Sequence, residues 1–403
     1  MRIAMISKTF LPLAGSAMLL AGASQPAWAD KFQNCVNGLW PSAKSAGVTR
    51  ATFDRAFQGV THDPKVIEQA TYQPEYVRPI GEYIDRAVSD KRLETGKLRL
   101  ADNKELLDKI ESRYGVDRNV IVAIWGLESN YGTQPGDMNV IRSLATLICS
   151  GTKSQFARQQ LNSALKILQR GDITLEAMNG SWAGAMGHTQ FIPTTYTAYA
   201  VDYDGDGKRD IWGTIPDALA STASYLKVSK WQSGAAWGYE VKIPKGFNPK
   251  RYGEKTQKSL AEWQKLGVVR VNGEPYPRPA DKAAMFAPEG TNGPVFLTLN
   301  NFRSILRYNQ ANSYALAVGH LSDRLKGGGP FVHPWPSDEN HLSLDQRKEL
   351  QQLLIARGLM EGDPDGVIGP LTLEAVKTFQ RNKGLPVDGF PTLTVLKALR
   401  AET

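Results

Sequence analysis

The stretch Val120-Ile-Val-Ala-Ile-Trp-Gly-Leu-Glu128 constrains this chain more than any other, because it sets a carboxylate on an apolar helical stripe. Asp117 supplies a helix-start signal ahead of it. Ile121, Ile124 and Trp125 lie seven, four and three residues before Glu128 and so share its face. An ionised carboxylate held against Ile and Trp loses hydration and grips its proton more tightly, which raises its pKa. That is how a protein keeps a carboxylic acid ready to donate a proton near neutral pH. The same window also fits a solvated Glu near a helix C-terminus, since most Glu side chains are exposed. The rest of the chain decides between the two.

With 403 residues the chain can form two or three domains around a sizeable core. Its 41% apolar and 22% charged residues exclude a disordered or collagen-like chain. The first 29 residues read as an export signal: Arg2 and Lys8, an apolar run from Leu11 to Ala23, then the small-x-small site Ala27-Trp-Ala29. The run is short for a bilayer span, and no Cys follows it closely enough for lipid attachment. A periplasmic protein beginning at Asp30, with no membrane anchor, is expected. Loss of the two positive signal charges takes the net charge from +8 to +6. Such a surplus suits acidic cell-wall polymers or membrane surfaces. No Lys/Arg block is interleaved with aromatics, so no nucleic-acid partner is expected. Cys35 and Cys149 are either a disulfide or two buried thiols. Histidines 62, 188, 320, 333 and 341 show no paired spacing with Cys or one another, which argues against zinc.

Residues 30–115 carry helical spacing, as at Phe32, Val36, Leu39 and Trp40, with Pro74 and Pro79 interrupting a Tyr-rich stretch (Tyr72, Tyr76, Tyr83). Further helices are expected around Asn139–Ile148, over Gln155–Gln169 with Phe156, Leu161, Leu165 and Leu168 in phase, and over 214–230 with Leu219, Tyr225 and Leu226 inward. Between them, Ser181 to Pro193 gathers glycines and small residues around Trp182, Met186, Gln190 and Phe191. Small residues admit close approach of a ligand or of another helix. Ser181 and Gln190 offer neutral hydrogen bonds there; Met186 and Phe191 offer apolar contact.

Asp202-Tyr-Asp-Gly-Asp-Gly-Lys208 has acids at positions 1, 3 and 5 and Gly at 6, the opening of an EF-hand-like calcium loop. Asp202, Asp204 and Asp206, with Lys208 at the position that uses a backbone carbonyl, are the expected ligands of a structural Ca2+. Position 12 is Gly213 rather than Glu, so Asp217 is the nearest candidate to complete the set. A solvated Asp-Gly turn is the alternative. Residues 231–300 shift to turns between β-prone runs at Tyr239–Ile243, Val268–Val271 and Val295–Leu299, which reads as a small strand-rich insertion. Helical spacing returns over Phe302–Lys326. Gly327 to Pro336 opens a linker, taken as 327–341, stiffened by proline and loosened by glycine. Beyond it, 342–403 forms a compact unit with a capping box at Ser343–Gln346 and two echoing copies of a Gly-Leu, an Asp-Gly turn and a Pro-Thr-type helix start. Its eight basic and eight acidic residues cancel, so the positive charge sits on the large domain.

Glu128-Ser-Asn-Tyr-Gly132, Gly180-Ser-Trp-Ala-Gly-Ala-Met-Gly-His-Thr-Gln-Phe-Ile-Pro193 and Arg307-Tyr-Asn309, in that order, resemble the membrane-bound type B family of lytic murein transglycosylases. The tail resembles a three-helix peptidoglycan-binding module. The resemblance implies a mainly α, lysozyme-like catalytic domain over 30–326 with a calcium loop, followed by the linker and the binding module. It implies Glu128 as the single catalytic acid and base. It implies a saccharide groove lined by Ser181, Met186, Gln190, Phe191, Tyr225, Tyr308, Asn309 and Tyr314. Tyr131 and His188 depart from the Trp and Tyr common in the family, and the missing lipid-attachment Cys implies a soluble form. Peptidoglycan glycan strands are then the partner, other cell-wall enzymes are candidate partners, a monomer is expected, and the chemistry needs no cofactor. The implied reaction cleaves the β-1,4 bond between N-acetylmuramic acid and N-acetylglucosamine and leaves 1,6-anhydro ends. A hydrolytic muramidase and a non-catalytic wall-binding scaffold are the competing readings.

Overall fold

A computed structural model describes residues 26–70, 79–247, 256–288, 293–336, 342–385, 387 and 389–401. The export signal up to residue 25, Tyr72, Pro74, Tyr76, residues 337–341 of the expected linker and Asp388 lie outside the described residues. No helix among the described residues is long and apolar enough to cross a membrane.

The helix Arg118–Ser129 is the centre of the first helical core. The Asp117 carboxylate caps it by accepting from Asn119 N at 2.8 Å, and Asn130 ends it in the left-handed region. Ile121, Ile124 and Trp125 are at most 1% exposed, and each such side chain contributes about 1.5–3 kcal/mol by burial. Helices Asp90–Asp102, Lys104–Tyr114, Ile215–Val228 and Asn312–Leu325 surround it. A second helical core is built from Pro26–Asn37, Arg50–Phe57, Val140–Cys149 and Ser154–Arg170. Cys35 and Cys149 are joined by a disulfide within it, which settles the choice the sequence left open. Leu161, Leu165 and Leu168 are buried there, but Phe156 is 36% exposed. Five residues before Leu161, Phe156 falls well round the helix from the stripe of the three leucines.

Two short strands, β1 (Met138–Asn139) and β2 (Asn179–Gly180), pair antiparallel beside the segment 181–193. The insertion is a five-stranded antiparallel sheet of β3 (Gly238–Lys242), β4 (Gln257–Ser259), β5 (Val269–Arg270), β6 (Lys282–Phe286) and β7 (Val295–Thr298), in the order β4-β6-β7-β3-β5. It closes over Val241, Trp263, Met285 and Leu297. The expected helical stretch 302–326 is two helices, Asn300–Tyr308 and Asn312–Leu325. Asn309 is extended between them and its side chain accepts from Ala311 N at 3.0 Å, a local bond that competes with helix continuation.

The expected linker also differs from the structure. Its 330–336 half is strapped to the first core. Phe331 stacks on His320 with centroids 3.8 Å apart, and Trp335 lies so close over Gly81 that a Cβ there would sit 2.7 Å from the indole. The Glu240 carboxylate accepts from Val332 N at 2.7 Å and His333 N at 2.8 Å. Apolar burial and backbone donors, not proline stiffness, fix this segment. The tail is three helices, Leu344–Ala356, Pro370–Asn382 and Leu393–Arg400, around Leu350, Val376, Phe379 and Leu396. A buried glutamine serves each repeat copy: Gln351 accepts from Gly366 N at 2.6 Å and Gln380 from Gly389 N at 2.8 Å.

Candidate active site

Glu128 sits one residue from the end of its helix, half-buried, with the apolar stripe behind it. The Tyr314 hydroxyl, from the neighbouring helix, donates to Glu128 Oε1 at 2.5 Å. Tyr308 lies parallel to Tyr314 with centroids 6.5 Å apart. The break at Asn309 sets these two phenols on separate helices that both face the carboxylate. Burial first, and then the charge of Glu128, pushes the pKa of each phenol well up, so both are fixed hydrogen-bond donors. Tyr308 donates to the Thr189 carbonyl. Its ring meets Tyr225 at 5.1 Å and Phe191 at 5.7 Å, and Tyr225 donates to the Arg307 carbonyl. One aromatic wall thus runs from Phe191 and Tyr225 through Tyr308 to Tyr314 and the acid.

The segment 181–190, irregular backbone and not a helix, leads into this wall at Phe191. Met186 and Phe191 exchange backbone hydrogen bonds at 2.9 and 3.2 Å, and both side chains are buried. Ser181 Oγ accepts from Ala185 N at 3.0 Å. Gln190, held at φ +50°, donates both amide hydrogens to carbonyls, to Pro135 O at 2.7 Å and Gly187 O at 2.9 Å. Its Oε1 is therefore the atom it can present to a ligand, as an acceptor. Ser181, Gln190, Tyr225, Tyr308 and Asn309 are half-buried at this surface. Met186, Phe191 and Tyr314, at 3% exposure or less, stand behind it and shape it from beneath.

The acidic loop forms a cluster of carboxylates. Asp202, Asp204 and Asp217 bring carboxylate oxygens within 4.8 Å of one another. Asp217 is fully buried and accepts from Tyr203 N at 2.7 Å and Asp210 N at 2.8 Å. Burial, and then the charge of Asp204, raises its pKa against those hydrogen bonds. Asp206 is not part of the cluster; its carboxylate accepts from Lys208 N at 2.8 Å.

Residue-by-residue reading of the sequence gave no place to Ser129 or Tyr131. Ser129 Oγ donates to the His188 carbonyl at 2.6 Å and accepts from Gly132 N at 2.9 Å, tying the helix of Glu128 to the segment 181–190. Tyr131 is a core residue, 2% exposed, wedged between Gly96 and Gly126 with its hydroxyl on the Arg92 carbonyl at 2.8 Å. The signal for it was the pair of glycines, at either of which a Cβ would strike its ring or hydroxyl.

Fold and site together define a lysozyme-like transglycosylase domain: residues 31–323 match the family described as Transglycosylase SLT domain, and the chain belongs to that family. Residues 343–399 match the Putative peptidoglycan binding domain. Among particular relatives, the chain is 29% identical over 245 residues to membrane-bound lytic murein transglycosylase B of Escherichia coli (strain K12). That stretch covers 59% of this chain and 65% of the relative, under two thirds of its length. It is 50% identical to SltB3 from Pseudomonas aeruginosa, solved in complex with NAG-anhNAM-pentapeptide, with a TM-score of 0.86 over 92% of this chain and 99% of that one. Soluble lytic transglycosylase SltB1 from the same organism is 28% identical, with a TM-score of 0.64 over 73% of this chain and 100% of that one.

Proposed function

We propose that this chain is an exported, periplasmic lytic murein transglycosylase that cleaves between N-acetylmuramic acid and N-acetylglucosamine and leaves 1,6-anhydromuramic ends. The observation that carries the reading is Glu128, at the end of a buried apolar helix, held at 2.5 Å by a phenol that is itself buried. The acid first gives its proton to the glycosidic oxygen as the C1–O bond breaks. As a carboxylate it then takes the proton of the muramic C6 hydroxyl, whose oxygen bonds to C1. The ring closes, no water is consumed and Glu128 is restored. The substrate supplies its own nucleophile at high effective concentration, so one carboxylate does the work that glycosidases usually divide between two. Gln190 Oε1 and Ser181 take polar sugar groups, while Tyr308, Tyr225 and Asn309 line the surface beside them. The complexes of SltB3 with NAG-anhNAM-pentapeptide and NAG-NAM-pentapeptide support this substrate and product class.

Purified peptidoglycan digested by wild type and by Glu128→Gln tests the reading. Wild type releases anhydro ends, one water lighter than hydrolysed ends, and the variant releases none while still sedimenting with sacculi. Turnover by the variant, or hydrolysed ends from wild type, defeats it. Asp202, Asp204 and Asp217 fit a hard divalent cation, because three carboxylates this close repel unless a charge of the other sign stands among them. Bound Ca2+ there has a structural part and no place in the reaction. Calorimetric titration of the metal-stripped protein with Ca2+ yields saturable heat on this reading, and Asp217→Asn abolishes it; absence of heat at millimolar Ca2+ removes the site.

A further inference from the structure

Four contacts converge on His188. Its N–H donates to Ile211 O at 2.9 Å, and its carbonyl accepts from Ser129 Oγ at 2.6 Å. Its Nδ1 accepts from the Trp125 indole N–H at 3.0 Å. A Cβ on Gly132 would lie 2.2 Å from the ring, so the turn after the acid's helix is closed directly onto it. An indole N–H only donates, which makes Nδ1 the bare nitrogen and leaves the ring proton on Nε2. The ring also engages the Trp212 backbone. Burial lowers the His188 pKa, with Arg99 assisting, against the Trp212 backbone and Asp210, so the neutral form that these contacts require is favoured. Trp212 N and Gly213 N in turn rest on the Asp210 carboxylate, and Asp210 N on Asp217. A continuous set of bonds therefore runs from the acidic loop through His188 to Trp125 and Ser129. Trp125 is one helical step before Glu128 on the same face, and Ser129 is its immediate neighbour.

We propose that His188 is a positioning residue for Glu128, a clamp that fixes the acid's helix end against the turn closing the acidic loop. The proposal rests on the reading of Glu128 as the acid. The full-length protein is assayed on a soluble glycan fragment as wild type, His188→Leu, His188→Asn, Trp125→Phe and Trp125→Phe/His188→Leu, with a thermal melt of each. The Leu variant is expected to lose roughly 10- to 100-fold in kcat with KM unchanged, the scale of a misplaced catalytic group. The Asn variant, whose amide oxygen takes the place of Nδ1, regains most of that loss. The double variant is no slower than the slower single one, because both changes delete one bond. Wild-type kcat in a cooperatively melting His188→Leu, or losses that multiply in the double variant, overturn the clamp. Should the Leu variant fail to fold, Trp125→Phe and Trp125→Phe/His188→Asn decide it alike: no kcat loss in the former, or multiplied loss in the latter, overturns it. Glu128→Gln in the same assay separates the two levels. If it turns over, the assignment of the acid fails; if it is dead while His188→Leu runs at full speed, only the clamp fails.

Discussion

At the scale of single residues, the Tyr314 hydroxyl is the group that holds the Glu128 carboxylate. A phenol whose pKa burial pushes well up keeps its proton, so its hydroxyl has a hydrogen to donate, and it donates to Oε1. A hydrogen bond to a charged group contributes about 1.5–3 kcal/mol, and on the proposed reading it steadies the ionised form, the base of the second half-reaction. Tyr314→Phe is expected to slow single turnover of a soluble glycan fragment roughly 10- to 100-fold and to leave sedimentation with sacculi unchanged. A wild-type rate would detach Tyr314 from the acid. The apolar stripe behind Glu128 was legible from three neighbours at helical spacing, and all three are buried; that stretch by itself also fitted a solvated Glu. The partner of Glu128 was not legible, since Tyr314 is 186 residues away and only resemblance placed it near the sugar. Periodicity says which way a side chain faces but not what it faces.

Elements repeat that lesson. The helices of both cores were legible from spacing, and so were β3, β5 and β7 from their β-branched and aromatic runs. Strand β6 was not: Lys282-Ala-Ala-Met-Phe has little strand propensity and becomes a strand by pairing with β4 and β7 while Ala283, Ala284 and Met285 are buried. The helix Asn312–Leu325 carries a pair of groups that no spacing rule reveals. Burial, with Arg324 assisting, pushes His320 down to about 4, and burial pushes Asp323 up to about 6 despite the Trp237 indole N–H on its carboxylate at 2.8 Å. The signs oppose. His320 binds its proton less tightly when folded, so its contribution is present above about 6.5 and lost as pH falls through about 4. Asp323 binds its proton more tightly when folded, so its contribution is present below about 3.8 and lost as pH rises through about 6. Each is on the order of 3 kcal/mol, and between pH 4 and 6 they offset. Asp323→Asn should therefore make the melting temperature climb more steeply with pH across that window than in wild type. His320→Phe, which keeps the stack on Phe331, should tilt it the other way. Parallel wild-type and variant curves would show that neither group is shifted by folding.

For the molecule as a whole, the strap at 330–336 decides how far the binding module can range from the groove. Linker composition alone suggested a tether of about fifteen residues, because glycine and proline content cannot show that Phe331 and Trp335 find a hollow formed by Gly81, Phe296 and His320. Nor can it show that Glu240, on β3, takes two backbone N–H groups and the His333 ring. With Pro336 fixed, the six peptide steps to Leu342 span at most roughly 20 Å. A short tether keeps the effective concentration of the second site high, and lengthening it lowers that concentration by a gentle power of length. Trp335→Ala with Glu240→Gln removes the apolar anchor and the ionic acceptor together and returns about nine residues to the tether. That double variant should become cleavable by protease within 327–336, where wild type resists. It should keep wild-type turnover of short soluble fragments, lose a few-fold in turnover of sacculi, and still sediment with them. Deletion of 337–403 should abolish sedimentation and leave the soluble-fragment rate alone. Equal protease resistance in wild type and double variant would mean that the strap holds by contacts other than these, and an unchanged sacculus rate after release would mean that the reach of the module does not limit cleavage.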